Sequence, residues 1–473
     1  MDRKIIVLKF GGFAVSTGEN IKKICEIVKK EREKHKVVVT VSALYGVTDK
    51  LVEISEKISD TPAIAVEVAA KNFYDEILAL HYKTAKECIV NEKILTGVME
   101  KIKALLEKLR ITLIGVGYLE EINPKFMDYV ISFGEKMSVY VVSGALNDTN
   151  IKAVPLTGYE AGIITDSNFS HAKPLPVINE TIRKNLMPII EEDSVPVVAG
   201  FIAADIKGTA TTLGRGGSDY TAALLAKHLN AVEVQIIKDV EGVLSADPKI
   251  TKNAKLIRQL SYAEAMDLAL FGAKVMYSKM IEPAMDAKIP VRVKSIFMPD
   301  DEGTVIVKNE EIIDRIVKAV TMMKDVAVVN IKGVGMAETP GIIGKIFSEL
   351  GNKGINIIMV SGSSESNLSI VVKKSNVENT LEIINQLSNS GIRKIEVMED
   401  VRIIAVIGAG MAGSKGVAAK LFKIVADNDL ARILLRRYIE NLLKNKKIRR
   451  ILTQSHKATR LQNITPLCLC VLV

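Results

Sequence analysis

Thr211-Thr212-Leu213-Gly214-Arg215-Gly216-Gly217-Ser218-Asp219 sets three glycines, a cation, a hydroxyl and a carboxylate directly ahead of a helical pattern, Tyr220-Thr221-Ala222-Ala223-Leu224-Leu225-Ala226-Lys227-His228. Glycine turns aim backbone N–H groups at one point, and the start of a helix adds the positive end of its dipole. An anion such as phosphate is the natural occupant. Taken alone, such a turn more often only joins a strand to a helix. The amino-terminal end supplies a counterpart. Ile5-Ile6-Val7-Leu8-Lys9-Phe10-Gly11-Gly12 reads as a buried strand that delivers Lys9 to a second glycine turn, before a helix over about 19–34. A fixed cation beside free N–H groups again suits a phosphate, although the P-loop pattern G-x-x-x-x-G-K-[ST] is absent. By itself, Lys9 is equally well read as a strand-end lysine in solvent.

Outward from these turns, strand-like runs over 4–9, 36–42, 153–156, 163–164, 195–201 and 232–237 alternate with helical runs over 19–34, 49–110, 178–192 and 219–229. Alternation with continuous Val/Ile runs predicts an α/β fold, a mainly parallel sheet sandwiched by helices. Ligands in such folds sit at the carboxyl ends of strands, so the two glycine turns can share one crevice. Four more stretches place polar groups where elements begin or end: Ser42-Ala43-Leu44-Tyr45-Gly46-Val47-Thr48, Ser132-Phe133-Gly134-Glu135-Lys136, Lys238-Asp239-Val240-Glu241-Gly242 with Asp247-Pro248, and Phe271-Gly272-Ala273-Lys274-Val275. Each has a plain reading too: a helix cap, a solvated helix carboxylate, a turn, and a lysine facing water.

The acidic Pro/Gly stretch 298–303 marks the end of this body at about residue 300, with a linker over 301–320. Beyond it the chain repeats itself. Residues 326–347 align with 401–422, and eight of the twenty-two positions are identical, among them Gly333/Gly408, Met336/Met411 and Lys345/Lys420. The first copy, 321–399, predicts a small antiparallel sheet with helices on one face: a strand, a helix capped by Thr339-Pro340, strands over 354–360 and 368–372, a helix over 376–388 and a strand over 394–398. The second copy, 400–430, is incomplete, because Ala431 stands where the pattern requires the equivalent of Asn356. A divergent basic tail over 431–473 reads as helical to about Ile451 and irregular through Cys470, and the hypothesis that follows is that a reading-frame change or local rearrangement removed the second half of this module. Gly408-Ala409-Gly410-Met411-Ala412-Gly413 fits G-x-G-x-x-G, yet the first copy has Glu338 at the third glycine and no acid-ended second strand follows. The dinucleotide reading is therefore rejected.

With 473 residues and 48% hydrophobic content, two or three domains each have a core. The net charge of +9 is local, since 432–460 holds ten Lys or Arg against Glu440 alone. Without tryptophan or basic-aromatic interleaving, the body is not a nucleic-acid binder. Four cysteines without metal or disulfide spacing point to a reducing cytoplasm. No signal peptide or eighteen-residue apolar run is expected, and the last four residues are discounted as a prenylation box.

Six ordered motifs and the repeat resemble aspartate kinase: Lys9-Phe10-Gly11-Gly12, Ser42 to Thr48, Ser132-Phe133-Gly134-Glu135, Thr211 to Asp219, Asp239 to Pro248, and Phe271 to Val275, with the repeat resembling that family's ACT regulatory pair. The resemblance spans about 4–430. It implies an amino-acid-kinase fold that transfers the γ-phosphoryl of ATP, with magnesium carried by the nucleotide, to the β-carboxylate of L-aspartate. By similarity Lys9 and Asp219 are the catalytic pair. Thr48, Glu135, Arg215 and Ser218 would bind substrate, and Gly11, Gly12, Ser42, Gly216, Gly217, Asp239, Lys249 and Lys274 would bind nucleotide. Met336, Gly341, Asn356 and Ile357 would hold an effector, threonine or lysine. A cytoplasmic homodimer or higher homo-oligomer, without membrane or nucleic-acid partners, is implied as well. The chain departs from the family at Phe13-Ala14, where Thr-Ser is usual, and at Leu244, Lys249 and Tyr277-Ser278. Two alternatives stay open: a catalytically weak amino-acid sensor, and another amino-acid or carboxylate kinase of the same fold.

Overall fold

IIVLKF and KVVVTV are apolar at nearly every position because both faces of each strand are covered, and they pair in parallel near the middle of an eight-stranded sheet. The computed structural model describes residues 3–272, 276–308, 316–333, 341–364, 367–387, 392–411, 414–427 and 467–472. They fall into two units, the first made of Met1–Ala269 with Lys274–Glu311 and the second of Leu270–Ala273 with Ile312–Val473.

In the first unit the order is β1 (Ile5–Phe10), α1 (Gly18–Arg32), β2 (Lys36–Val41), α2 (Val47–Ser59), α3 (Ala63–Cys88), α4 (Glu92–Leu119), α5 (Pro124–Asp148), β3 (Ala153–Leu156), β4 (Ile164–Thr165) and α6 (Ile178–Glu191). There follow β5 (Val195–Ala199), β6 (Ile202–Asp205), β7 (Ala210–Thr212), α7 (Gly217–Leu229), β8 (Val234–Lys238), β9 (Gln259–Ser261), α8 (Tyr262–Leu270), α9 (Ser278–Ala287), β10 (Val291–Ser295) and β11 (Thr304–Val307). The large sheet runs β3-β5-β2-β1-β8-β10-β11-β9 and is parallel throughout except at the β10/β11 hairpin. A mainly parallel sheet clad in helices is the expected class. The stretch 298–303, read from the sequence as a boundary, is the turn of that hairpin, so the sheet continues to Val307.

The single helical run expected over 49–110 is three helices. Asn91 caps α4 by accepting from Lys93 N–H and Ile94 N–H, and Asn123 with Pro124 opens α5. Within this helical layer His81 of α3 is fully buried; its Nδ1 donates to Ile77 O at 2.8 Å, and its Nε2 has no hydrogen-bond partner. Burial in this apolar setting holds its pKa down to about 4, only partly offset by the bond to Ile77. The unfolded chain takes up a proton near pH 6.5 and the folded one does not, so stability is full above 6.5 and is lost as the pH falls from 6.5 toward 4. The imidazole should account for about 3 kcal/mol of acid lability. Urea unfolding at pH 7 and pH 4.5 should show that extra loss in the parent and not in His81→Met; equal losses would refute it.

The second unit is built on β12 (Ala319–Lys332), β13 (Met359–Ser364), β14 (Asn367–Lys373), β15 (Lys394–Gly408) and β16 (Leu467–Leu472), all antiparallel in the order β13-β14-β12-β15-β16. Helices at Ile342–Asn352 and Val377–Gln386 pack Ile346, Leu350, Ile383 and Ile384 with Val329, Ile331 and Ile370 of the sheet. Four expectations are corrected. The strand placed at 354–360 begins only at Met359, because 355–358 turns Ile355 into the core before pairing starts. The strand placed at 394–398 continues to Gly408, since β12 is long enough to pair with its whole length. The first helix takes Gly341, at φ 82°, as its N-cap, while Thr339-Pro340 lies outside the described residues. The last residues are not irregular, since Leu467–Leu472 forms an edge strand against Ile403–Gly408. The tail between them lies outside the described residues.

Candidate active site

Four parallel strands end at the same edge, and backbone hydrogen bonds stitch the loops that leave them. Gly11 N–H donates to Ile237 O at 3.3 Å, Ser42 N–H to Phe10 O at 3.2 Å and Gly200 N–H to Val41 O at 2.9 Å. Helix α7 starts against this edge, with Gly217 N–H donating to Gly214 O at 2.9 Å and Gly216 as its N-cap at φ 76°. The first glycine turn thus lies at the carboxyl end of β1 in the large sheet, and the second follows β7 of a three-stranded sheet, β4-β6-β7, and opens α7. Gly200 must be glycine because a Cβ there would stand 2.7 Å from Ser218 Cβ.

At the centre, Lys9 Nζ lies 2.5 Å from Asp219 Oδ1, with both side chains buried. On the other side of the same carboxylate, Lys238 Nζ approaches Oδ2 to 3.1 Å. Burial alone would raise the Asp219 pKa, but the charges of Lys9 and then Lys238, with the hydrogen bonds they make, bring it down to about 2. Burial lowers the Lys9 pKa, opposed chiefly by Asp219. The pair thus holds an ionised carboxylate and a desolvated lysine at the end of β1.

Beside it, α5 presents Glu135, 3% exposed in an otherwise apolar run. Its Oε1 accepts from Ala43 N–H at 3.2 Å, and its Oε2 has no hydrogen-bond partner. Burial drives its pKa up to about 8, against the Ala43 bond and the field of Lys9. A buried oxygen left without a donor is a place for a cation to dock. Ser42 Oγ and Ser218 Oγ meet at 3.1 Å, joining the loop after β2 to α7. Thr48 sits half-buried in the first turn of α2, next to Val47, which packs beside Gly134. Gly11 and Gly12 follow Lys9 directly.

Arg215 is exposed, and its Nε donates to Tyr277 Oη at 2.6 Å. Among the described residues no carboxylate pairs with it, so its terminal nitrogens keep their charge for a ligand. Asp239 follows Lys238 but faces solvent, and Lys249 lies exposed in the turn opened by Asp247. Lys274 and Met336 lie outside the described residues. Gly341 opens the helix Ile342–Asn352, whereas exposed Asn356 and half-buried Ile357 follow its far end. The helix between them is eleven residues, about 16 Å, long. Phe13, where the resembled family usually has threonine, stacks edge-on against Phe297 at 5.8 Å.

Three contributors escaped the sequence reading. Lys238 was read only as part of an acidic strand end. Asp128, fully buried on α5, accepts from Thr212 N–H at 2.9 Å, Thr212 Oγ1 at 2.8 Å and Ser170 N–H at 2.8 Å, anchoring the approach to Gly214. Tyr277 fixes the Arg215 side chain. No spacing signal marks any of the three, since each is defined by a partner at least 19 residues away.

A buried lysine–aspartate pair between two glycine turns, at the carboxyl ends of a parallel sheet, is the site of a phosphoryl-transfer enzyme. Residues 4–295 match the amino acid kinase family and 329–387 an ACT domain. Aspartokinase 2, chloroplastic, of Arabidopsis thaliana is 32% identical, over 89% of this chain and 77% of its own length. The aspartokinase of Helicobacter pylori (strain ATCC 700392 / 26695) is 30% identical over 90% of this chain and 91% of its own. E. coli aspartokinase III in complex with aspartate and ADP superposes with a TM-score of 0.77 at 27% identity, covering 89% of this chain and 91% of that one. A second structure of the E. coli enzyme, with lysine and aspartate, gives 0.71 at 26% identity, covering 99% of this chain and 96% of that one. The chain belongs to the aspartokinases, within the amino acid kinase family. Among the described residues, no helix is long and apolar enough to cross a membrane.

Proposed function

We propose that this chain phosphorylates the β-carboxylate of L-aspartate with ATP, yielding 4-phospho-L-aspartate and ADP. The observation that carries the reading is the Lys9–Asp219 pair set beside Glu135, whose buried Oε2 has no hydrogen-bond partner among the described residues. A carboxylate is already nucleophilic, so the reaction requires no general base. One aspartate oxygen forms a bond to the γ-phosphorus, the bond to the β,γ-bridging oxygen breaks, and ADP leaves with the electron pair. The protein's part is alignment and charge compensation.

In this reading Lys9 meets the transferring phosphoryl group and Asp219 holds Lys9 in place. The N–H groups of Gly11, Gly12, Gly216 and Gly217 line the phosphate path. Glu135 takes the substrate ammonium, Arg215 its α-carboxylate, and Thr48 and Ser218 supply hydroxyls. Ser42 and Asp239 lie toward the nucleotide, together with Lys249 and Lys274. In this reading magnesium arrives on the triphosphate and neutralises it. Threonine or lysine as effector, and a homodimer or higher homo-oligomer, complete this reading.

A coupled assay of ADP release with ATP, magnesium and a panel of carboxylates should give turnover with L-aspartate. The acyl phosphate can be trapped with hydroxylamine. Turnover with glutamate or a nucleoside monophosphate instead would reassign the substrate, and nucleotide binding without transfer to any acceptor would make the chain a sensor.

A further inference from the structure

We propose that Lys238 is a second cation of the phosphoryl-transfer centre, acting with Lys9 on the γ-phosphate of ATP. The inference deepens the phosphotransfer reading and rests on it. Lys238 is the last residue of β8, which runs parallel to β1 with Lys9 opposite Ile236 and Phe10 opposite Ile237. This register sets Lys238 against Gly11. A Cβ built on Gly11 would lie 3.6 Å from Lys9 Nζ and 4.0 Å from Lys238 Cγ, so both lysines border the bare face of the first glycine turn. The two ammonium groups then share one carboxylate, Lys9 on Oδ1 and Lys238 on Oδ2.

Charge counting gives the reason for the second lysine. Lys9 and Asp219 alone sum to zero, and a neutral pair offers a triphosphate only a dipole. Lys238 brings a second positive charge to the same carboxylate. In phosphoryl transfer negative charge is spread over the three equatorial oxygens and the leaving group, where a net cation is worth most. Lys238 is the more exposed of the two, at 17% against 6% for the side chains, as a group facing an incoming ligand would be.

The test compares two nucleotides that differ in the γ-phosphate. Isothermal titration with AMP-PNP and with ADP, each with magnesium, should show Lys238→Met weakening AMP-PNP binding about tenfold or more and ADP binding less than about twofold. Lys238→Arg, which keeps the charge, should retain most of the AMP-PNP affinity. In steady state, Lys238→Met should lower kcat about ten- to a hundredfold with little change in the KM for aspartate. Equal weakening of both nucleotides, or an unaltered preference for AMP-PNP in Lys238→Met, would overturn the proposal and leave Lys238 as scaffold. The affinity comparison involves no aspartate. Failure of the parent to phosphorylate aspartate would therefore sink the substrate reading while leaving the Lys238 result to stand or fall on its own.

Discussion

Lys9→Met should lower kcat about a thousandfold while the KM for aspartate moves only a few fold. The lysine is held 2.5 Å from Asp219 with its side chain almost wholly shielded, so no solvent ion can take over its charge at the end of β1. The variant should also be less stable. Removing one member of a buried ion pair leaves the other uncompensated, at about 3–5 kcal/mol. Here Lys238 still contacts Oδ2, so the loss should lie near the lower end of that range. Lys9→Met combined with Asp219→Asn removes both charges. It should recover most of the lost stability in urea and none of the lost turnover. That split separates the two roles of the pair: stability depends on charge balance, whereas catalysis depends on a cation at one place. Recovery of activity in the double variant would show that Lys9 serves only to satisfy Asp219.

The residues that could be read from sequence are those whose role is written in local backbone chemistry. A Gly-Gly turn after a Val/Ile run and a Gly-rich turn before a helix announce anion sites through conformational freedom and helix polarity, and both turns stand where they were expected. The parallel sheet was equally legible, because strands covered on both faces have no polar alternation. Burial by distant elements was not legible. In Lys238-Asp239 the sequence draws attention to the acid, yet side chains alternate along a strand end, and it is the lysine that turns toward Asp219 while Asp239 faces water. Glu135 reads as a helix carboxylate like many others until α5 is packed against the loop after β2, where Gly134 leaves room for Ala43. The second unit misled in a different way. Offset β13 and the continuous β15 are set by which partner strand is available, and Leu467–Leu472 pairs although its preceding sequence has no repeat to announce a strand.

The second large effect should be seen in the pH dependence of aspartate binding. Glu135 is held near pKa 8 by burial, so below that pH its carboxyl group is mostly protonated in the free enzyme. An ammonium ion is best received by the carboxylate, and binding must then expel the proton. The KM for aspartate should therefore fall as the pH rises from 6 to 8, by up to about tenfold per unit, and level off above 8. Glu135→Gln has the same shape and no titration. At pH 8.5 it should raise the KM about a hundredfold, the cost of leaving a desolvated cation without its counter-charge. At pH 6 the parent has already lost most of its advantage to proton release, so parent and variant should converge. A constant ratio of the two KM values across this range would show that Glu135 does not receive the ammonium group, and the unpartnered Oε2 would need another explanation.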